Sequence, residues 1–345
     1  MPLPKCWPSF TKAKGLFDHF LDKILFMNRK SLYAEAKELI ESSRHITVIG
    51  HLNPDADALG TALGLWSVFK ELPKRTDVVF LSRPLPQYLA FLPGFEKIRH
   101  SVNPKSDLIV TVDSGSFDRL GIEKPADAKI VNIDHHRSNT GFGDVNIVEP
   151  EFASASEVAF KLVERAGWSV KRDSAINFYA ALLSDTGFFG YEGVNGRVFD
   201  FAKRLLELGA DAEWTARMLR ENQPLSKLRL LPKALQTLRL YLDARVAGID
   251  VTASMLEESG ATVNETDDIV NYARSLATVE VGFLIRDESD TALKVSLRSK
   301  SRVDVCKIAQ EFGGGGHIRA AGFTVYDLER KVLKERLLKR IEKEL

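Results

Sequence analysis

The sequence predicts an α/β protein: a doubly wound parallel-sheet domain, a helical connector and a smaller α+β domain. Three observations carry that prediction. Short, nearly continuous β-branched runs recur before residue 140, as strands buried on both faces of a parallel sheet require. A long apolar segment between the first two runs suits a crossover helix. Strand patterns return only after residue 245, behind a helical stretch, and 345 residues are more than one hydrophobic core usually organises.

Residues 1–30 read as an N-terminal extension in which Phe17, Phe20, Leu21, Ile24 and Leu25 fit one face of a short helix. Only Lys14 and Lys23 supply a basic face, so docking on the protein is favoured over a membrane surface. The first domain is expected over 31–222, with strands His45–Gly50, Asp77–Ser82, Asp107–Val112 and Lys129–Ile133 and a crossover helix Gly60–Phe69. Helices follow near 154–167, 173–184, 196–208 and 211–221, punctuated by Gly and Pro. A helix over 225–241, starting after Pro224, is expected to form the connector, set at 223–244. The second domain, 245–345, is expected to carry strands Val246–Val251, Val279–Ile285, Leu293–Leu297 and Ala321–Val325 and a closing amphipathic helix near 327–344.

Composition narrows the function. The chain has 48 Lys and Arg against 47 Asp and Glu, a formal charge of +1, which argues against duplex DNA as a partner and leaves a small or short anionic ligand open. Two cysteines, Cys6 and Cys306, have no metal-ligand spacing and imply no disulfide framework, which suits a reducing cytoplasm. No apolar run approaches the ~18–20 residues of a membrane span. The run Leu63–Phe69, for instance, stops at Lys70.

Each expected strand end carries polar residues that a buried element does not need. His51, Asp55 and Asp57 follow the first strand, Asp113-Ser-Gly the third, and Asp134-His135-His136-Arg137 the fourth, while Asp185-Thr-Gly closes a helix. In open α/β sheets, ligands bind beyond the carboxyl ends of the strands. Any one of these aspartates is more simply a helix cap or turn residue. All four clusters at element ends are better explained together. Four converging carboxylates, Asp55, Asp57, Asp113 and Asp185, force proton uptake unless cations offset them, and two divalent ions would neutralise the set. Oxygen donors mixed with imidazole suit Mn²⁺, Mg²⁺ or Co²⁺ better than thiol-seeking metals. Asp113 is the most natural bridge between the two ions.

A second cluster lies at Arg298-Ser299-Lys300 and Gly313-Gly-Gly-Gly316-His317. Successive glycines let backbone N–H groups converge on an anion without side-chain obstruction. From Lys294 to Arg319, six Lys or Arg face only Asp304 and Glu311. The second domain therefore reads as a receptor for phosphate.

Taken in order, Gly50-His-Leu-Asn-Pro-Asp-Ala-Asp-Ala-Leu-Gly60, Asp113-Ser-Gly, Asp134-His-His, Asp185-Thr-Gly and Gly-Gly-Gly-Gly-His317 closely resemble the DHH/DHHA1 phosphoesterase superfamily, over about residues 31–326. The size and the lack of extra domains look most like its nanoRNase (oligoribonuclease)/pAp-phosphatase branch. The resemblance implies one ion on His51, Asp55 and Asp113, and a second on Asp57, Asp113, His135 and Asp185, with Mn²⁺ favoured. It implies that His136 contacts phosphate or donates a proton, and that Asp134 orients a neighbouring imidazole. Arg298, Ser299, Gly313, Gly314, Gly315, Gly316 and His317 match the substrate-binding motif. The segment Phe188-Phe189-Gly190-Tyr191 departs from the basic residue and polar turn of many relatives.

The activity this implies is hydrolysis of short oligoribonucleotides to mononucleotides, and of pAp to AMP. Two other substrate classes fit the same chemistry: cyclic di-AMP or its linear product pApA, and longer single strands as in RecJ-like exonucleases. The pyrophosphatase branch has a different second domain. A non-catalytic nucleotide sensor would be suggested by a missing ligand, and none is missing. A nicotinamide-dependent enzyme would need a Gly-x-Gly-x-x-Gly turn after the first strand, where the acidic His51–Asp57 loop stands instead. The expected partner is short single-stranded RNA or a nucleotide, and a homodimer is compatible with the sequence.

Overall fold

The four expected strands of the first domain and one unexpected strand make a single parallel sheet. A computed structural model describes residues 31–345; the expected helix around Phe17–Leu25 and Cys6 lie outside the described residues. Residues 31–42 are helical (α1). The sheet comprises β1 (His45–Ile49), β2 (Arg75–Val79), β3 (Leu108–Val112), β4 (Lys129–Asp134) and β5 (Val145–Val148), in the order β2-β1-β3-β4-β5. All four pairings are parallel. From β1 the chain first moves to one side, into β2, and then crosses to β3 on the other. The carboxyl ends of β1 and β3 therefore flank the point where strand order reverses. Both strands are buried throughout, as their uninterrupted apolar sequences require.

The crossover helix α2 (Ala56–Phe69) packs along α4 (Arg172–Asp185) through small residues. A Cβ built on Gly60 would lie 2.5 Å from the Asn177 carbonyl oxygen, and one on Gly64 would lie 2.4 Å from the Phe178 ring, so only glycine allows this approach. Helices α3 (Ala155–Ala166) and α5 (Gly196–Glu207) complete this layer. Both cover the core with an apolar face that includes Val158, Leu162, Val198 and Leu205.

The chain divides into two compact units. The first holds residues 31–211 except 82–91 and 136–140; the second holds those two segments and 212–345. In the second unit, a six-stranded sheet has the order β10-β11-β9-β8-β7-β6. Its strands are β6 (Arg239–Tyr241), β7 (Val246–Val251), β8 (Val281–Asp287), β9 (Ala292–Ser299), β10 (Gly315–His317) and β11 (Ala320–Tyr326). Only β7 and β8 pair in parallel. Helices α10 (Val305–Glu311) and α11 (Arg330–Glu342) bury Ile308, Leu333, Leu337 and Ile341 with Phe283, Val295 and Phe323 of the sheet.

The expected helix over 225–241 is corrected. Helix α6 (Ala212–Glu221) is followed by α7 (Leu225–Gln236), which stops where the Thr237 hydroxyl donates to the Ala234 carbonyl and accepts the Asp250 N–H at 2.8 Å. Residues 239–241 then join the sheet as β6. Such side-chain competition for backbone groups is how Thr ends a helix. The seven-residue helices α8 (Ala253–Ser259) and α9 (Ile269–Ser275), like the four-residue β5, are too short for periodicity to reveal. No helix among the described residues is long and apolar enough to cross a membrane.

Candidate metal centre

The loops that leave the carboxyl ends of β1, β3 and β4 each bring a ligand-type side chain. After β1, His51 is 6% exposed, and its Nδ1 donates to the Leu52 carbonyl at 2.7 Å. A carbonyl only accepts, so Nδ1 carries the proton and Nε2 is left basic. That Nε2 lies 3.5 Å from Asp113 Oδ2. Asp55 caps α2, its Oδ1 accepting the N–H groups of Asp57 and Ala58 at 3.0 Å. Asp57 follows in the first turn, 1% exposed, and accepts from the Thr61 hydroxyl at 3.0 Å and from the Ala155 N–H at 2.8 Å.

Asp113 follows β3 with φ of 51°, a left-handed conformation that Asp adopts more readily than most residues. His135 follows β4. Its Nδ1 donates to the Phe152 carbonyl at 3.3 Å, and its Nε2 lies 3.2 Å from Asp185 Oδ2 and 3.6 Å from both Asp57 Oδ2 and Asp113 Oδ1. Asp185 ends α4 with its side chain 30% exposed. Asp134, fully buried at the end of β4, accepts the His135 N–H at 2.8 Å.

Within the first unit, two ligand triads result: His51 with Asp55 and Asp113, and Asp57 with Asp113 and His135, in each of which the donor atoms all lie within 4.8 Å of one another. Asp113 belongs to both. Asp185 adjoins the second through His135.

The electrostatics fit cations. Burial pushes the Asp57 carboxyl well above the usual carboxylate range, and the charges of Asp113 and Asp185 push it further. Burial opposes a charged His135 imidazole, yet the adjoining Asp113 carboxylate and the charges of Asp185 and Asp57 outweigh it and raise its pKa well above normal. His51 is raised too, against burial, by Asp113 and Asp55. Left to protons alone, the pocket hoards them. Oxygen and imidazole donors sharing one carboxylate suit hard or borderline divalent ions, and the free thiol of Cys306 belongs to the second unit.

The other sequence-selected residues fall in the second unit. His136 belongs to the segment 136–140, and its ring stacks on that of His317 with centroids 4.4 Å apart. Arg298 and Ser299 end β9, opposite β11, where the Ser299 N–H donates to the Arg319 carbonyl at 3.0 Å. The glycine run differs from the expected anion cradle. The N–H groups of Gly313 and Gly314 close the end of α10 on the carbonyls of Gln310 and Ala309, and Gly315 and Gly316 pair with β11. The reason is steric: a Cβ on Gly314 would lie 2.2 Å from the Gly322 carbonyl oxygen, so the run serves close strand packing.

Sequence reasoning missed the groups that hold the ligands: the Thr61 hydroxyl, the Phe152 carbonyl and the N–H groups of Ala155 and Ser156. Main-chain groups leave no mark on residue type. The one available signal was Ser154-x-x-Glu157, which fixes where α3 begins.

Comparison with known proteins identifies the family. Residues 45–184 match the model of the DHH family N-terminal domain, and residues 248–345 match the DHHA1 domain. The chain is 31% identical, over 93% of its length and 95% of the relative's, to the bifunctional oligoribonuclease and PAP phosphatase NrnA of Thermus thermophilus. It is 25% identical, over 80% and 88%, to the Bacillus subtilis protein of the same name. A crystal structure of an exopolyphosphatase-related protein from Bacteroides fragilis superposes with a TM-score of 0.80 at 25% identity, covering 90% of this chain and 96% of that one.

Proposed function

We propose, for a chain that belongs to the DHH/DHHA1 family of phosphoesterases, that it hydrolyses short oligoribonucleotides, dinucleotides above all, to mononucleotides, and pAp to AMP. The observation that carries this reading is the sharing of Asp113 by two ligand triads at the strand-order reversal. In it, His51, Asp55 and Asp113 hold one divalent ion, and Asp57, Asp113, His135 and Asp185 hold another, Mn²⁺ for preference. Such an ion pair, when bound, supplies charge neutralisation at phosphorus and acidifies water toward neutrality.

The chain's own residues do the rest. The imidazoles of His51 and His135, fixed through Nδ1 by carbonyls, present Nε2 to the ions without changing tautomer. The first-turn N–H groups of α3 and the Thr61 hydroxyl hold the buried Asp57 carboxyl in place, where its ionised form would be favoured beside a bound cation. Asp134 fixes the main chain at His135, and with it the position from which His136 projects. His136 steadies a phosphoryl oxygen or gives a proton to the leaving alkoxide. In the second unit, Arg298, Ser299 and His317 bind the remainder of the substrate, with Arg298 as the charge that meets phosphate and Gly313 to Gly316 serving by the absence of side chains, which keeps their strand close to β11. On this reading residues 31–222 serve chemistry and 245–345 substrate binding, with 223–244 between them contributing α7 and β6 to the second unit.

Hydrolysis of a diribonucleotide, a longer single strand, pAp and a cyclic dinucleotide, each with Mn²⁺, Mg²⁺ or Co²⁺, tests this proposal. Mononucleotides should appear fastest from the dinucleotide with Mn²⁺. Absence of dinucleotide turnover with all three ions rules it out.

A further inference from the structure

We infer that Arg197, acting through Glu157 and the loop 149–157, is a positioning residue that sets the metal affinity of the site. One short loop holds two of the three buried residues of the second triad, His135 and Asp57. The Phe152 carbonyl takes the proton of His135 Nδ1 at 3.3 Å, so Nε2 faces Asp57, Asp113 and Asp185. Three residues on, the first two N–H groups of α3 point at Asp57: Ala155 donates to Oδ2 at 2.8 Å and Ser156 to Oδ1 at 3.3 Å. These are groups that a helix leaves without internal partners, and here a candidate ligand satisfies them. A shift of this loop therefore moves an imidazole and a carboxylate together.

The loop is fastened from outside the pocket by two ion pairs. Glu157, 4% exposed at its side chain, accepts the Ala153 N–H at 3.0 Å and the Arg197 Nε–H at 2.5 Å. The other arm of the Arg197 guanidinium donates to the Glu151 carbonyl, and the guanidinium lies 4.2 Å over the Phe152 ring. Arg197 thus grips the loop at residues 151, 152 and 157, on both sides of the peptide groups that touch His135 and Asp57. At the loop's start, Glu149 receives the Tyr33 hydroxyl at 2.9 Å and Lys161 Nζ at 3.0 Å. Arg197 itself is fixed at the start of α5, its N–H on the Asn195 side chain at 3.0 Å. Only Arg presents two donor edges and a stacking face at once, so no other side chain reproduces the grip.

This inference rests on the proposed metal-dependent function and needs a readout apart from catalysis. In the full chain, free Mn²⁺ is titrated by electron paramagnetic resonance, and the His135 ring ¹⁵N shifts are read in the metal-free protein. Arg197→Ala should weaken Mn²⁺ binding about tenfold or more and broaden or shift the His135 Nδ1 signal. Arg204→Ala, on the same helix and paired with the exposed Glu164 and Glu207, should leave both unchanged. If Arg197→Ala does not fold, Glu157→Gln keeps an oxygen for Ala153 while loosening Arg197, and should weaken Mn²⁺ binding in the same direction. Binding within twofold of the parent, with an unmoved Nδ1 signal, in the variants that fold overturns the inference alone. A parent chain that binds no Mn²⁺ overturns the proposed function and takes this inference with it.

Discussion

Replacing Asp113 by Asn tests the shared carboxylate with little disturbance elsewhere. The residue sits at φ of 51°, a conformation in which Asn is as much at home as Asp, so the backbone has no reason to move. Its volume hardly changes, while one full charge leaves the centre of both triads. A ligand that binds only the folded state at a hundred times its Kd stabilises by about 2.7 kcal/mol. Two independent sites would contribute about twice that. In a unit of this size, 1 kcal/mol moves the midpoint by roughly 2–4 °C, so saturating Mn²⁺ should raise the parent's transition by about 10–20 °C. Asp55→Asn, which can still cap α2, removes a ligand from one triad only and should retain about 5–10 °C of that rise. Asp113→Asn should retain almost none. Scanning calorimetry of the three proteins with EDTA and with Mn²⁺ decides the matter. A parent-sized shift in Asp113→Asn would refute the shared-ligand argument.

Three further outcomes follow from particular contacts. Gly60→Ala gains about 1 kcal/mol in helix propensity but drives a Cβ to 2.5 Å from the Asn177 carbonyl, an overpacking cost of about 1–3 kcal/mol, so urea unfolding should show a net loss; unchanged or higher stability would contradict the close α2–α4 seam. Burial would raise the Glu280 carboxyl, but the N–H groups of Arg302, Ser301 and Val303 and the Ser301 hydroxyl hold it below its ordinary value. Its stabilising contribution is therefore complete above the unfolded pKa of about 4.3 and is lost as pH falls through the folded value. Glu280→Gln should cost about 1–3 kcal/mol at pH 7 and progressively less below pH ~4; a pH-independent difference counts against this. Arg298→Ala should raise KM for a dinucleotide about tenfold or more through a lost charge-assisted contact, with Mn²⁺ affinity unchanged, and an unaltered KM would remove Arg298 from substrate binding.

Four of the five strands of the first unit were legible because a parallel sheet covered on both faces demands short, nearly continuous apolar runs, whereas the four-residue β5 is too short to show one. The ligand-type residues stood out for the opposite reason. His51, Asp55, Asp57, Asp113 and His135 interrupt or follow buried runs where solubility gives no cause for charge, and the structure draws these five together within 4.8 Å triads. What could not be read was anything decided by contacts remote in sequence. The 225–241 stretch has helical periodicity to its end, but Thr237 meets Asp250 across the sheet and the last residues pair with β7. The glycine run is equally ambiguous in sequence, since an anion cradle and a tight strand pair both require residues without Cβ, and only the approach of Gly322 distinguishes them.

The same contrast explains how four acidic side chains can be kept in one fold. Asp57 is almost wholly buried beside Asp113 and Asp185, an arrangement that repels itself unless each carboxylate meets positive partial charge. That charge comes from two directions fixed by packing. The small-residue face of α2 lets α4 approach closely enough for Asp185 to reach His135 at 3.2 Å, and the start of α3 delivers the Ala155 and Ser156 N–H groups to Asp57. The second device uses no charged residue, and the first uses only the His135 imidazole, whose pKa the surrounding aspartates raise. The aspartates therefore announce the pocket in the sequence, while the means of tolerating them is written in glycines, peptide groups and one imidazole and becomes visible only when α2, α3 and α4 are seen packed together.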